Sequence, residues 1–219
     1  MNKIHFFLFA FIAIFFPYKS YSISVSSDVS EFNAKDGYYS KIYKNNTKNT
    51  NLYEVKVSKI TAPGVSEQEL YIHNGEILFT PKKKILFPNE IEYFKFIYNG
   101  PRDDKERYYK ININELPMLT YEFNSNKKII NFSPSISLDT YLIVKPAIIN
   151  FDYFYDGLIL KNRGNTYFRV IMDTSCSKQN NPHYFYLLPN QEYSGELLKN
   201  NGNKYIIYNE KYILIDKKC

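Results

Sequence analysis

Few side chains in this 219-residue chain are placed to do chemistry. Beyond the first 22 residues the histidines are His73, in the turn-like run Tyr71-Ile72-His73-Asn74-Gly75, and His183, which follows Asn181-Pro182. Neither stands among cysteines or acids at metal-ligand spacing. There is no nucleophile elbow, no phosphate-cradling glycine loop and no His-Glu-Xaa-Xaa-His run. Asp103, Asp104 and Glu106 could supply an acid–base pair, but adjacent charges in a turn are normally solvated. The sequence predicts no enzyme, no metal and no cofactor.

The remaining reactive side chains are Cys176 and Cys219, and their meaning depends on the N-terminus. Lys3 precedes an apolar run from Ile4 to Phe16 broken only by His5, Pro17 ends it, and Ser20-Tyr21-Ser22 puts small residues where a signal peptidase reads. The run is shorter than the roughly 20 residues of a membrane helix, so residues 1–22 read as a signal peptide and the mature chain starts at Ile23. An uncleaved anchor or a buried strand is the alternative. No later segment approaches spanning length, which predicts no stable membrane insertion once the signal is removed. In an exported chain the two cysteines read as one disulfide, Cys176 to Cys219, which would contribute roughly 3–4 kcal/mol by loop closure.

Losing Lys3 and Lys19 without any acid lowers the net charge from +6 to +4. That modest excess, densest at Lys82-Lys83-Lys84, reads as a solvated face and predicts no nucleic-acid partner, because no recognition motif surrounds it. Twenty-two Tyr and 17 Phe against 8 Gly favour strands. Period-two alternation recurs at Leu52 to Ile60, Glu76 to Thr80, Glu92 to Tyr98, Tyr108 to Ile113 and Ile136 to Val144. Further on it recurs at Gly157 to Lys161, Tyr167 to Met172, Tyr184 to Leu188 and Tyr205 to Ile215. Turn clusters such as Ala62-Pro63-Gly64, Asn99-Gly100-Pro101 and Asn124-Ser125-Asn126 separate them. The expectation is an all-β chain of two sandwiches, residues 23–145 and 146–219, meeting at Lys145-Pro146.

Asp104 to Pro117 is less generic. Asp104, Lys105, Glu106, Tyr109, Ile111, Asn112, Ile113, Glu115, Leu116 and Pro117 fall in the frame of a signature that reads roughly Asp-Arg-Glu-x-x-Phe-x-Leu-Asn-Leu-x-Glu-Ile-Pro. This resembles the periplasmic pilus-assembly chaperones. The hairpin Leu78 to Pro101, the strand Ile136 to Pro146 and the strand pair around Gly164-Asn165 are similar to that family's as well. The resemblance implies two immunoglobulin-like domains in a boomerang. It also implies that the last strand of the first domain is donated to pilus or fimbrial subunits, which are incomplete sandwiches, before an outer-membrane usher receives them. A free chain of this kind could self-cap as a homodimer.

Carried over residue by residue, the subunit-binding strand is Phe132, Ile136 and Leu138, with Leu142 and Val144 continuing the same parity as core. Pro134, which cannot donate to a ladder, belongs at an edge or bulge. An interdomain salt bridge is implied between Glu106 and Lys145, with Glu210 as a third member; Lys in place of the usual Arg forfeits a bidentate fork. The family's two basic anchors for the subunit's terminal carboxylate are missing. Their positions fall on Tyr141 and near Val29 or Ser30, so Tyr141, Lys110 and Lys41 are the candidate substitutes. The competing reading is an exported two-domain adhesin or surface module. It predicts buried Ile136 and Leu138, whereas the chaperone reading exposes them.

Overall fold

The computed structural model describes residues 22–64, 66–118, 135–177 and 181–219. Residues 1–21 of the expected signal peptide 1–22, the turn Asn124-Ser125-Asn126, Phe132 and Pro134 lie outside them. The first sandwich is built from β1 (Ile23–Val25), β2 (Val29–Asn33), β3 (Tyr38–Asn45), β4 (Asn51–Ile60), β5 (Glu69–Leu70), β6 (Ile77–Thr80), β7 (Lys83–Leu86), β8 (Ile91–Tyr98), β9 (Arg107–Pro117) and β10 (Ile136–Lys145). One sheet has the order β1-β3-β8-β6; the other runs β2-β10-β9-β4-β5, with β7 also on β4.

Alternation decides what lies between these sheets. In β9 the odd positions Tyr109, Ile111, Ile113 and Glu115 all point inward and are buried. They meet Tyr53 and Val55 of β4, Leu142 and Val144 of β10, and Tyr43, Phe94 and Phe96 from the opposite sheet. Tyr43 and Phe94 pack edge to face at 5.0 Å, a favoured geometry for aromatic pairs.

The start of the chain serves both sheets. β1 pairs antiparallel with β3, the chain crosses over Ser26–Asp28, and β2 then pairs parallel with β10 from Tyr141↔Val29 to Lys145↔Asn33. Sequence periodicity missed β1 to β3 because their polarity is partly inverted. The buried parity of β3 carries Lys41 and Asn45, while Tyr38 and Ile42 face solvent.

The second sandwich comprises β11 (Tyr153–Tyr155), β12 (Leu160–Asn162), β13 (Phe168–Met172), β14 (His183–Leu187), β15 (Glu192–Tyr193), a 3-10 turn Glu196–Lys199, β16 (Lys204–Tyr208) and β17 (Lys211–Asp216). Its sheets run β11-β12-β15 and β14-β13-β16-β17 around Leu160, Phe168, Val170, Met172 and Ile206. The single strand expected over Tyr205 to Ile215 is a hairpin. Asn209 (φ 46°) and Glu210 (φ 62°) both adopt left-handed backbone, as the tight two-residue turn requires. His183 opens β14 instead of lying in a loop. Cys176 and Cys219 form a disulfide that ties the last residue to the loop after β13.

Candidate functional site

β10 is paired with β9 along almost its whole length, from Ile136↔Glu115 to Val144↔Arg107. On its other flank β2 reaches only to Tyr141, whose amide donates to the Asp28 carbonyl at 2.8 Å. Among the described residues no strand pairs with the flank from Ile136 to Thr140. An uncovered edge of this kind is a template for another chain. Its outward side is polar: Asn112 Nδ2 donates to Ser137 Oγ at 2.7 Å and to Asp139 Oδ1 at 2.6 Å. On the inward parity Thr140, Leu142 and Val144 are buried, and Ile136 and Leu138 are half-buried. The chaperone reading expects that last pair exposed and the adhesin reading expects it buried; the structure places both side chains between the two. The missing neighbour strand leaves one side of each uncovered while Leu138 still touches the core.

The three candidate anchors occupy two different places. Tyr141 and Lys110 are register partners on the outward side of the β9–β10 pair, and both are held by Glu67, at 2.7 Å from Lys110 Nζ and through the Tyr141 hydroxyl. Lys41 is on the other side, inside the sandwich, 0 % exposed and with no hydrogen-bond partner for its ammonium among the described residues. Burial pushes its pKa down to about 8, with Asp28 of the crossing segment partly offsetting the loss of water.

The implied salt bridge is rearranged. Lys145 Nζ pairs with Glu31 Oε2 at 2.9 Å and not with Glu106, because the parallel β2–β10 register puts Glu31 within its reach. Glu106 instead accepts from the second sandwich: Thr166 Oγ1 at 2.7 Å and the Tyr167 amide at 3.2 Å, as well as the Tyr108 hydroxyl. Burial raises its pKa despite these donors. Glu210 sits at the exposed β16–β17 turn, lining a cleft of about 370 Å³ with Glu31, Lys145 and Tyr167, and forms no ion pair with Glu106 or Lys145. Sequence reasoning missed Tyr167, which sets its ring 5.6 Å from Lys145 Nζ and donates its hydroxyl to Glu31 at 2.7 Å.

Asp103 is no acid–base group either. Arg107 grips it through both oxygens at 2.7 Å and holds its carboxyl at about 2. Asn165 completes the joint, its Nδ2 reaching the carbonyls of Asp104 and Ile148 at 2.9 Å each. The adjacent Gly164 is required there, since a Cβ would meet the Asn150 carbonyl oxygen at 2.4 Å. Glu106→Ala would strand three donors of the joint and is expected to cost about 2 kcal/mol. Glu106→Gln, which retains an acceptor, should lose less. Urea denaturation of the three proteins at pH 7 measures this.

No family model matches the chain. It is 33% identical over 202 residues to the probable fimbrial chaperone EcpE of Escherichia coli K12, covering 90% of this chain and 86% of that protein. It is 28% identical over 168 residues to the probable fimbrial chaperone EcpB of Escherichia coli O157:H7, covering 74% and 76%. Among solved structures it superposes on the class 5 fimbriae chaperone CfaA with a TM-score of 0.60 at 15% identity, over 90% of this chain and 99% of that one. It matches a chain of the Salmonella enterica SafA pilin–SafB chaperone complex at 0.56 and 16%, over 90% and 92%. These likenesses set aside the adhesin reading. The fimbrial chaperones are a non-enzymatic, periplasmic family, and no helix among the described residues is long and apolar enough to cross a membrane. A two-sandwich chain with this edge and this relationship to EcpE belongs to the fimbrial chaperones.

Proposed function

We propose that the protein, exported by removal of residues 1–22, captures fimbrial subunits by lending them the free edge of β10 and delivers them to an outer-membrane usher. The observation that carries this reading is the uncovered flank Ile136–Thr140 beside half-buried Ile136 and Leu138. Main-chain hydrogen bonds along such a flank supply affinity, and alternate apolar side chains fill the partner's open core. No nucleotide is needed, because completing the subunit's sandwich drives association. Without a subunit, the same flank allows two copies to pair. Phe132 extends the donor parity outside the described residues.

The anchor role goes to Lys41. A strand added along Ile136–Thr140 continues the line of β2, so its terminus arrives at Asp28, beside which the buried ammonium lacks a partner. Displacing the crossing segment would give a terminal carboxylate a charge-assisted contact. Lys110 already has one from Glu67.

Co-expression of the exported chain with the fimbrial subunits encoded beside it tests the proposal. The expected result is a stoichiometric complex in which the amides of Ser137 and Asp139, the ones in this stretch that point away from β9, become protected from hydrogen exchange. A complex that leaves those amides unprotected would refute strand donation.

A further inference from the structure

A sheet ends in strands whose outer backbone groups lack partners, and proteins protect such edges by shortness, charge or proline. The outer strands β1, β5, β6, β7, β11 and β15 have four residues or fewer. Three outer strands are longer. β2 carries Glu31, and β17 carries Lys211 and Asp216. β14 reads His-Tyr-Phe-Tyr-Leu and has no acid, lysine or arginine, and no glycine or proline. It alone among the longer outer strands lacks a guard, and an uncharged aromatic edge invites another strand.

That edge is open. β14 pairs with β13 from Phe168↔Leu187 to Met172↔His183, and among the described residues no strand pairs with its other flank. From elsewhere in the second sandwich, Asn162 Nδ2 reaches the Leu187 carbonyl at 3.0 Å, at the last residue of the strand. Tyr184 and Tyr186 point outward, 72 % and 50 % exposed. Phe185 turns the other way and packs on Tyr193 with ring centroids 4.6 Å apart.

The edge is also its own complement. Tyr184-Phe185-Tyr186 reads the same in both directions. Antiparallel pairing of two copies about Phe185 sets Tyr184 of each against Tyr186 of the other, and His183 against Leu187. The parity is kept, so outward tyrosines meet outward tyrosines and the core-facing phenylalanines stay on the core side. The same patch serves both copies, so the contact closes as a two-fold and does not propagate.

We infer that two copies of this chain associate through β14, joining two four-stranded sheets into one of eight. The four tyrosines offer on the order of 500 Å² of contact. With the ladder itself the interface reaches the low end of specific ones, about 1,000 Å². The dimer is therefore a reversible one, with a Kd above about 1 μM. β10 lies in the first sandwich and is not consumed, so this contact is separate from strand donation and from any pairing through the β10 flank.

Sedimentation velocity of the exported chain from about 1 to about 500 μM tests the inference. It is run in parallel on the Ile136→Asp/Leu138→Asp chain, which removes pairing through β10. Both should show a concentration-dependent dimer. Tyr184→Lys places its charge at the edge twice over, once per copy, and should weaken the dimer at least about tenfold. Because that side chain is largely exposed, Tm should move by no more than about 2 °C. Register is read separately. Under mild oxidation Tyr184→Cys and Tyr186→Cys chains should cross-link far faster when mixed than either does alone, because only the mixed pair stands directly opposite, within the roughly 4.4–6.8 Å between Cα atoms that a disulfide spans. A chain monomeric throughout the range, a dimer lost with Ile136→Asp/Leu138→Asp, a dimer indifferent to Tyr184→Lys, or cross-linking as fast in the unmixed chains overturns the inference.

Discussion

Lys41→Met is expected to raise Tm at pH 7 by roughly 10 °C while weakening capture of subunits. The wild-type ammonium is fully buried with no hydrogen-bond partner among the described residues, and its pKa is pushed down from 10.5 to about 8. That displacement is worth about 3 kcal/mol against the folded state wherever both states carry the proton, that is, below pH 8. Between pH 8 and 10.5 the unfolded chain binds a proton that the folded chain has lost. Wild-type stability therefore rises with pH across this window, and the gap to Lys41→Met closes. Thermal melts of both proteins from pH 7 to 10 measure the closing gap. A stabilised variant that still captures subunits at full strength would remove Lys41 from the binding site and leave its burial unexplained. Lys110→Met is the companion variant, expected to leave capture nearly unchanged because that lysine is occupied by Glu67.

Replacing Ile136 and Leu138 together by aspartate is expected to weaken subunit binding at least about 1000-fold. Each side chain is half-buried in the free chain and would be completed by the partner. Loss of two such plugs removes about 2 kcal/mol apiece, and roughly 4 kcal/mol corresponds to three decades in Kd. The charges add a desolvation penalty in the same direction. Leu138 also touches its own core, so the double variant should melt somewhat lower, and Ile136→Asp alone separates lost folding from lost binding. Ser137→Asp, on the outward side of the same strand, should change Kd by no more than about twofold. Calorimetric titration with a purified subunit gives all four values. A double variant that binds normally would rule out the β10 flank as the contact.

The sequence made the long strands readable because their buried positions are apolar every second residue. Tyr53 and Val55 in β4, Phe94 and Phe96 in β8, and Ile111 and Ile113 in β9 announce themselves in that way. β3 does not, because Lys41 and Asn45 hold inward positions that periodicity assigns to solvent. The hinge shows the same division. Glu106 and Lys145 were recognisable as hinge residues from the motif. Their true partners, Thr166, Tyr167 and Glu31, depend on a parallel β2–β10 pairing and on contact between the sandwiches. Neither local composition nor spacing encodes such contacts. The turn at Asn209-Glu210 was hidden because it lacks the glycine that usually marks a two-residue hairpin.

The crossing of the N-terminal strand from one sheet to the other also acts as a ruler. The site of that crossing determines how many rungs of β10 are consumed internally and how many are left over. With β2 beginning at Val29, five residues from Ile136 to Thr140 remain on offer among the described ones. Moving the crossover two residues upstream would convert one more repeat of the ladder into internal structure and shorten what a guest chain can grip. If β10 is lent to a subunit as proposed, selectivity for that guest would be partly a matter of length, set in a segment outside the apolar plugs themselves.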